Sequence, residues 1–149
     1  MRAVVQRVTK AKVTVEDRNI GEIKQGMMVL LGVESDDNQQ DCDYIVDKLE
    51  NLRIFEDEQQ KMNLSLKDIK GHVLLVPQFT LCGDCRKGRR PSFSGSAPPN
   101  EAKNLYLQVK EQLKKKGVTV ATGQFGANMD VSLVNQGPVT LLLDSRKLF

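Results

Sequence analysis

Apolar and polar positions alternate from the start of the chain, with Ala3 and Val5 set against Gln6, and Val13 and Val15 against Thr14. That period of two predicts half-buried strands over residues 2–9 and 11–16. Asp17-Arg18-Asn19 reads as a turn, residues 20–24 as a short strand, and the nearly continuous apolar run from Met27 to Val33 as a strand covered on both faces. Ser35-Asp36-Asp37 then offers N-cap chemistry to a helix whose apolar residues Ile45, Val46, Leu49 and Leu52 recur at helical spacing. Residues 56–71 are polar and read as irregular. A central strand follows from His72 to Leu81, and the Gly-, Ser- and Arg-rich loop 82–97 is longer than most connections in a compact domain, which marks it as functional or mobile. Pro98-Pro99-Asn100-Glu101 opens a second helix with Ala102, Leu105, Tyr106, Val109 and Leu113 on one face, stopped by Gly117. Two last strands are expected near 118–122 and 131–144, the latter interrupted by Gly137-Pro138.

Length and composition narrow the class. A chain of 149 residues with 40% hydrophobic content supports one core, so residues 1–149 are expected to form a single domain. No apolar run approaches the roughly 20 residues that span a bilayer, and the N-terminus opens directly on a strand pattern, so a soluble, cytoplasmic protein without membrane contact is expected. Three cysteines, an odd number, fit a reducing compartment better than a disulfide scaffold. Cys82 and Cys85 form a CxxC, yet a zinc site would have to complete itself from Cys42 and the single His72, so no metal and no cofactor are expected. The net charge of +3 is too mild to imply a nucleic-acid partner. Its distribution says more: Lys114, Lys115 and Lys116 suit a helix C-terminus, whereas Arg86, Lys87, Arg89 and Arg90 crowd a loop beside Gln78-Phe79-Thr80 and suit phosphate contact.

Two segments carry candidate chemistry. Asn135-Gln136-Gly137-Pro138-Val139-Thr140 sets a Gly-Pro pair against the apolar run Leu141-Leu142-Leu143. Proline has a fixed φ and no N–H, and glycine tolerates dihedrals closed to other residues, so the pair can form a binding surface made of main chain. Alone it reads as a turn that starts a strand. Thr80 is the hydroxyl in Val76-Pro77-Gln78-Phe79-Thr80-Leu81, but a nucleophilic threonine needs an adjacent base. His72, at about 3.3 Å per strand residue, would sit over 25 Å away, which leaves it a strand residue with a structural hydrogen bond and makes a Ser-His-Asp type of triad improbable within one subunit. Without a base, an activated ester can still be hydrolysed by orientation and by main-chain N–H groups that polarise its carbonyl.

These two segments, with Met1 to Val8, Arg86 to Phe93, Thr122 to Ala127 and Asn135 to Ser145, resemble the D-aminoacyl-tRNA deacylase family over the whole length of the chain. The resemblance implies that family's α/β (α+β) fold, a mostly antiparallel, barrel-like sheet with two helices packed outside, working as a homodimer. It implies hydrolysis of the ester of D-aminoacyl-tRNA at the aminoacylated 3' end, a chirality proofreading step, with leakage onto glycyl-tRNA because glycine is achiral. Catalysis would centre on Gln78, Phe79 and Thr80, through backbone contacts and the terminal ribose 2'-hydroxyl, the threonine side chain being a disputed participant. Gly137-Pro138 would be cis and act in trans, inserted into the partner's site, where its carbonyls hold the substrate amino group and leave no room for an L side chain. Arg7 would steady that loop, although an arginine on a strand also reads as a solvated charge. Phe125, Gly126 and Met129 would line the adenosine and aminoacyl pocket, although an aromatic and a methionine near a strand also read as core. Pro77 stands where the family usually has serine and Gln136 where it usually has aspartate; the retained Phe79 keeps the chain with the D-specific enzymes. A non-catalytic tRNA- or RNA-binding module is the rival from another class, and a thiol hydrolase built on Cys82 or Cys85 lacks its histidine.

Overall fold

The computed structural model describes residues 1–149. Its spine is one strand, β1 (Arg2–Val15). The sequence divides this stretch in two because Thr9 and Lys10, both exposed, break the alternation; the chain instead shifts register there and keeps pairing. Antiparallel partners cover β1 on both sides. Its first half pairs with β3 (Gly26–Gly32) and its second half with β2 (Arg18–Ile23), while β8 (Asp130–Asp144) follows β1 from Arg2 to Thr14 and pairs with nothing else.

The remaining pairings are parallel: β3 with β6 (His72–Pro77), and β6 with β7 (Thr119–Thr122). Parallel neighbours need crossover connections, and the two helices supply them. The first crossover holds α1 (Gln39–Asn51) and the second α2 (Pro99–Lys115). The sheet curls until its end strands touch, for a Cβ added at Gly21 in β2 would stand 2.6 Å from the Thr122 carbonyl oxygen in β7. The expected mostly antiparallel barrel with two outer helices is the architecture observed.

Both faces of the sheet bury apolar side chains. Ile45, Leu49, Tyr106, Val109 and Leu113 of the helices pack on Val5, Val29 and Leu75, while Ala11, Val13, Ile23, Met28, Leu74 and Val76 fill the barrel. Alternate residues of β3 therefore enter different clusters, which is why its sequence is apolar throughout.

Three boundaries differ from expectation. Helix α1 is capped by Asn38, whose side chain accepts from the Gln40 N–H while Asp41 reaches back to the Asn38 N–H. Asp37, the nearer expected cap, is instead held by the Met1 amino group at 2.5 Å and the Glu34 N–H at 2.6 Å. Residues 56–71 are not wholly irregular, since β4 (Phe55–Glu56) pairs with β5 (Met62–Leu64) around a turn in which Asp57 accepts from the Gln59 and Lys61 N–H groups. Strand β6 ends at Pro77 and the chain enters a 3-10 turn over Phe79–Cys82, because a residue without an N–H cannot extend the ladder. No helix is long and apolar enough to cross a membrane.

Candidate active site

The first half of the site comes from a mismatch in strand pairing. Gln6 faces Thr140 across the β1–β8 ladder and Val8 faces Asn135, so residues 136–139 have no partners and loop out opposite Arg7. Arg7 is only 3% exposed, far from a solvated strand charge. It donates from Nε to the Gln136 carbonyl at 3.1 Å, from Nη1 to the Ile54 carbonyl at 2.8 Å and from Nη2 to Glu56 Oε1 at 3.1 Å. A buried guanidinium is costly unless its donors find acceptors, and here they fix one end of the loop to β4 and the segment before it. Asn135 clips the base by donating from Nδ2 to the carbonyls of Arg7 at 3.0 Å and Val139 at 2.9 Å. The Gly137-Pro138 bond is cis, as the resemblance implies. Gly137 has φ +120°, a conformation that L side chains avoid, and a Cβ there would stand 2.9 Å from Arg7 Nη2. Gln136, Gly137 and Pro138 are exposed at the tip.

The second half is the turn after β6. Gln78 N–H donates to the Leu31 carbonyl at 2.8 Å, anchoring the turn on the end of β3. Phe79 and Thr80 then open the 3-10 turn, so their N–H groups find no acceptor within it. The Thr80 hydroxyl accepts from the Gln78 side-chain amide, which cannot take its proton, and His72 lies at the opposite end of β6. Nor does the His72 imidazole form the expected structural hydrogen bond; its main-chain N–H donates to Gln25 instead. Phe79 is 58% exposed, with its ring edge-on to Phe93 and the centroids 5.0 Å apart. Two side chains hold the turn's carbonyls: Ser96 Oγ donates to Phe79 at 3.4 Å and Arg2 Nη1 to Leu81 at 3.2 Å. Arg2 in turn pairs with Asp144 at 3.3 Å and Glu34 at 3.1 Å.

Within one chain these halves do not meet. The turn lies at the Arg2 end of β1 and the loop at Arg7, five residues or roughly 16 Å away at strand rise.

A model of the D-Tyr-tRNA(Tyr) deacylase family matches residues 4–144, which contain both halves. The chain belongs to that family. The D-aminoacyl-tRNA deacylases of Thermotoga petrophila and Clostridioides difficile are similar to it at 60% and 62% identity over 149 residues, covering all of each chain. The solved structure of a c-Myc DNA Unwinding Element Binding Protein superposes with TM-score 0.91 at 42% identity, covering 97% of this chain and 98% of that one. A probable eukaryotic D-amino acid tRNA deacylase, 20% identical, shares the fold with TM-score 0.82, covering 95% of this chain and 97% of that one.

Other residues expected in the deacylase site fall in different places. Met129 lies beside the turn: its Sδ accepts from Gln124 N–H at 3.3 Å, and a Cβ on Gly123 would meet that Sδ at 2.8 Å and Pro77 Cδ at 3.4 Å. Phe125 packs towards the helices, its ring centroid 6.0 Å from that of Tyr106. Gly126 is exposed with φ +76°. The basic residues cap a small hairpin closed by paired main-chain bonds between Asp84 and Ser92, at 2.7 and 2.9 Å. Arg86 is not free: it forms two 2.8 Å hydrogen bonds to Asp84, which hold that carboxyl well below the usual carboxylate range. Lys87, Arg89 and Arg90 are exposed without ion-pair partners in this fold. Burial pushes the Cys82 thiol up and its Sγ faces the Val33 carbonyl at 3.4 Å, which removes the thiol-hydrolase reading at that position.

Arg2, Phe93, Ser96 and Glu56 are the structural supports that sequence reasoning missed. Arg2 and Phe93 stood inside the matched segments, but neither periodicity nor charge pattern singled them out.

Proposed function

We infer that this family member, as one domain over residues 1–149, is a D-aminoacyl-tRNA deacylase that hydrolyses the ester between a D-amino acid and the 3' end of tRNA. The observation that carries the reading is the main-chain site itself: a Gly-Pro loop braced by a buried arginine, and a turn with two N–H groups at its head and no base beside its hydroxyl. In the reaction the Phe79 and Thr80 N–H groups stabilise the oxyanion formed as water attacks the ester carbonyl, a contribution worth about 2.7–4 kcal/mol for one such donor in other enzymes. The 2'-hydroxyl of the terminal ribose assists. Chirality is read by the Gly137-Pro138 carbonyls, which hold the amino group and exclude an L side chain; glycine, having no side chain, passes and is hydrolysed too.

The loop acts in trans in a homodimer. Leu30, Val4 and Leu142 form one row across β3, β1 and β8, and Leu142 is 61% exposed. That row lies between the Arg2 and Arg7 ends of β1. A two-fold axis through it maps the loop end of one chain onto the turn end of the other, completing two sites at once. Phe125, Gly126 and Met129 line the pocket, the free cations of the basic hairpin bind tRNA phosphates, and the protein works in the cytoplasm, where aminoacyl-tRNAs are used.

Comparing hydrolysis of D-tyrosyl-tRNA and L-tyrosyl-tRNA tests the reading: the D-ester alone is expected to turn over, and equal rates would overturn chiral exclusion. A second reading, a nucleic-acid-binding module without turnover, is favoured by the unpaired cations and by the structural relative described as binding a DNA element. Retention of RNA with neither ester hydrolysed would support it.

A further inference from the structure

Phe93 is an aromatic side chain that core packing does not explain. It is 37% exposed and stands outside both buried clusters, yet its ring is closely held. It meets the Phe79 ring in an edge-to-face pair with planes at 64°. It also meets main chain, since a Cβ added at Gly83 would lie 2.9 Å from Phe93 Cε1. Gly83 in turn donates its N–H to the Thr80 carbonyl at 3.0 Å. Phe93 thus touches the residue that opens the turn and the residue that closes it.

The segment bearing Phe93 is itself anchored. Ser92 pairs with Asp84, Ser35 N–H donates to the Gly95 carbonyl at 3.0 Å, Ala97 N–H donates to the Val33 carbonyl at 3.0 Å, and Ser96 Oγ takes the Phe79 carbonyl. A ring on a fixed support can hold an otherwise exposed Phe79 in one place. Edge-to-face aromatic pairs of this kind stabilise beyond the area they bury.

Resting on the deacylase reading, we propose that Phe93 is a positioning residue that fixes the Phe79–Thr80 turn for ester hydrolysis. Its ring serves the chemical step, and the neighbouring cations serve tRNA affinity. The two effects are therefore separable.

The test compares Phe93→Ala, Phe93→Tyr and Gly83→Ala with the unaltered protein in three readouts: single-turnover hydrolysis of saturating D-tyrosyl-tRNA, affinity for uncharged tRNA, and amide exchange at Leu81 and Gly83. Since misplacement of a reacting group by about 1 Å costs about 10²-fold, Phe93→Ala is expected to slow hydrolysis roughly 10- to 100-fold while tRNA affinity stays within about twofold. Exchange at both amides should rise. Phe93→Tyr keeps the ring edge and should keep the rate. Gly83 has φ −68° and ψ 128°, which alanine tolerates, but its methyl would stand 2.9 Å from Phe93 Cε1 and 3.0 Å from the Thr80 carbonyl, so Gly83→Ala presses on ring and turn together and marks the rate of a displaced turn. Phe93→Leu, which keeps apolar bulk without the ring, carries the test if Phe93→Ala does not fold.

An unchanged rate and unchanged exchange in Phe93→Ala would overturn the proposal. So would a rate loss matched by an equal loss of tRNA affinity, which would make Phe93 a ligand contact. Failure of the unaltered protein to hydrolyse D-tyrosyl-tRNA would instead remove the deacylase reading, and the exchange comparison would still decide whether the ring holds the turn.

Discussion

Arg7 donates to the Gln136 carbonyl at 3.1 Å from the position in β1 where β8 leaves the ladder, so the residue facing the gap also holds what loops out of it. Its other two donors bind the buried Ile54 carbonyl and the half-exposed Glu56 carboxylate, so Arg7→Met strands one buried carbonyl as well as freeing the loop. With about 1–3 kcal/mol for a buried group left unsatisfied, a loss of roughly 1–3 kcal/mol is expected in urea denaturation, along with a smaller ratio of D- to L-ester hydrolysis. A variant with full stability and full discrimination would show that the loop holds itself.

Thr80→Ala is expected to retain activity within about tenfold. The substitution removes a hydroxyl that accepts from Gln78 and leaves the main-chain N–H in place, whereas deleting a true nucleophile costs orders of magnitude more. A loss beyond about a thousandfold, with tRNA still bound, would restore a nucleophilic role. His72→Asn, at the far end of β6, should leave the rate unchanged from pH 6 to 8.

The basic hairpin should divide into one paired and three free cations. Replacing Lys87, Arg89 and Arg90 by Gln is expected to weaken aminoacylated and uncharged tRNA alike and to flatten the salt dependence by about 0.7–0.9 in log–log slope for each phosphate that is no longer neutralised. Arg86→Gln should do less, because Asp84 already engages that guanidinium. Asp84→Asn should strengthen binding by releasing it. Equal effects at all four positions in filter-binding titrations would contradict this division.

Leu142→Glu is expected to place a charge in the apolar row and shift the protein from dimer to monomer in analytical ultracentrifugation, with loss of activity. With Leu142 intact, the proposed trans arrangement predicts that a subunit disabled at Gly137, mixed with one disabled at Phe79, regains turnover that neither has alone. No recovery after verified subunit exchange would assign each site to a single chain.

The strands and helices were legible in the sequence where burial follows a local period. The run Met27–Gly32 and the α2 face bearing Ala102, Tyr106, Val109 and Leu113 are examples. Boundaries failed where a distant partner decided them: Asp37 could not cap α1 once the Met1 amino group had claimed it, 36 positions away. The end of β6 was masked by apolar residues continuing past Pro77. In the site, the loop and turn stood out by composition and resemblance, but the burial of Arg7 depends on acceptors 47, 49 and 129 residues distant, and no periodicity carries that. Phe93 looked like one more loop residue for the same reason.

Because β8 pairs only with β1, its other side is an unprotected border of 15 residues, long enough to template pairing with another chain and so to nucleate aggregates. The excursion at residues 136–139 breaks that border near its middle, and Pro138 removes an N–H from it. The same four residues therefore interrupt a pairing edge and form the loop that the proposed function uses, and a deletion that straightened β8 to regularise the sheet would leave a protein prone to self-association.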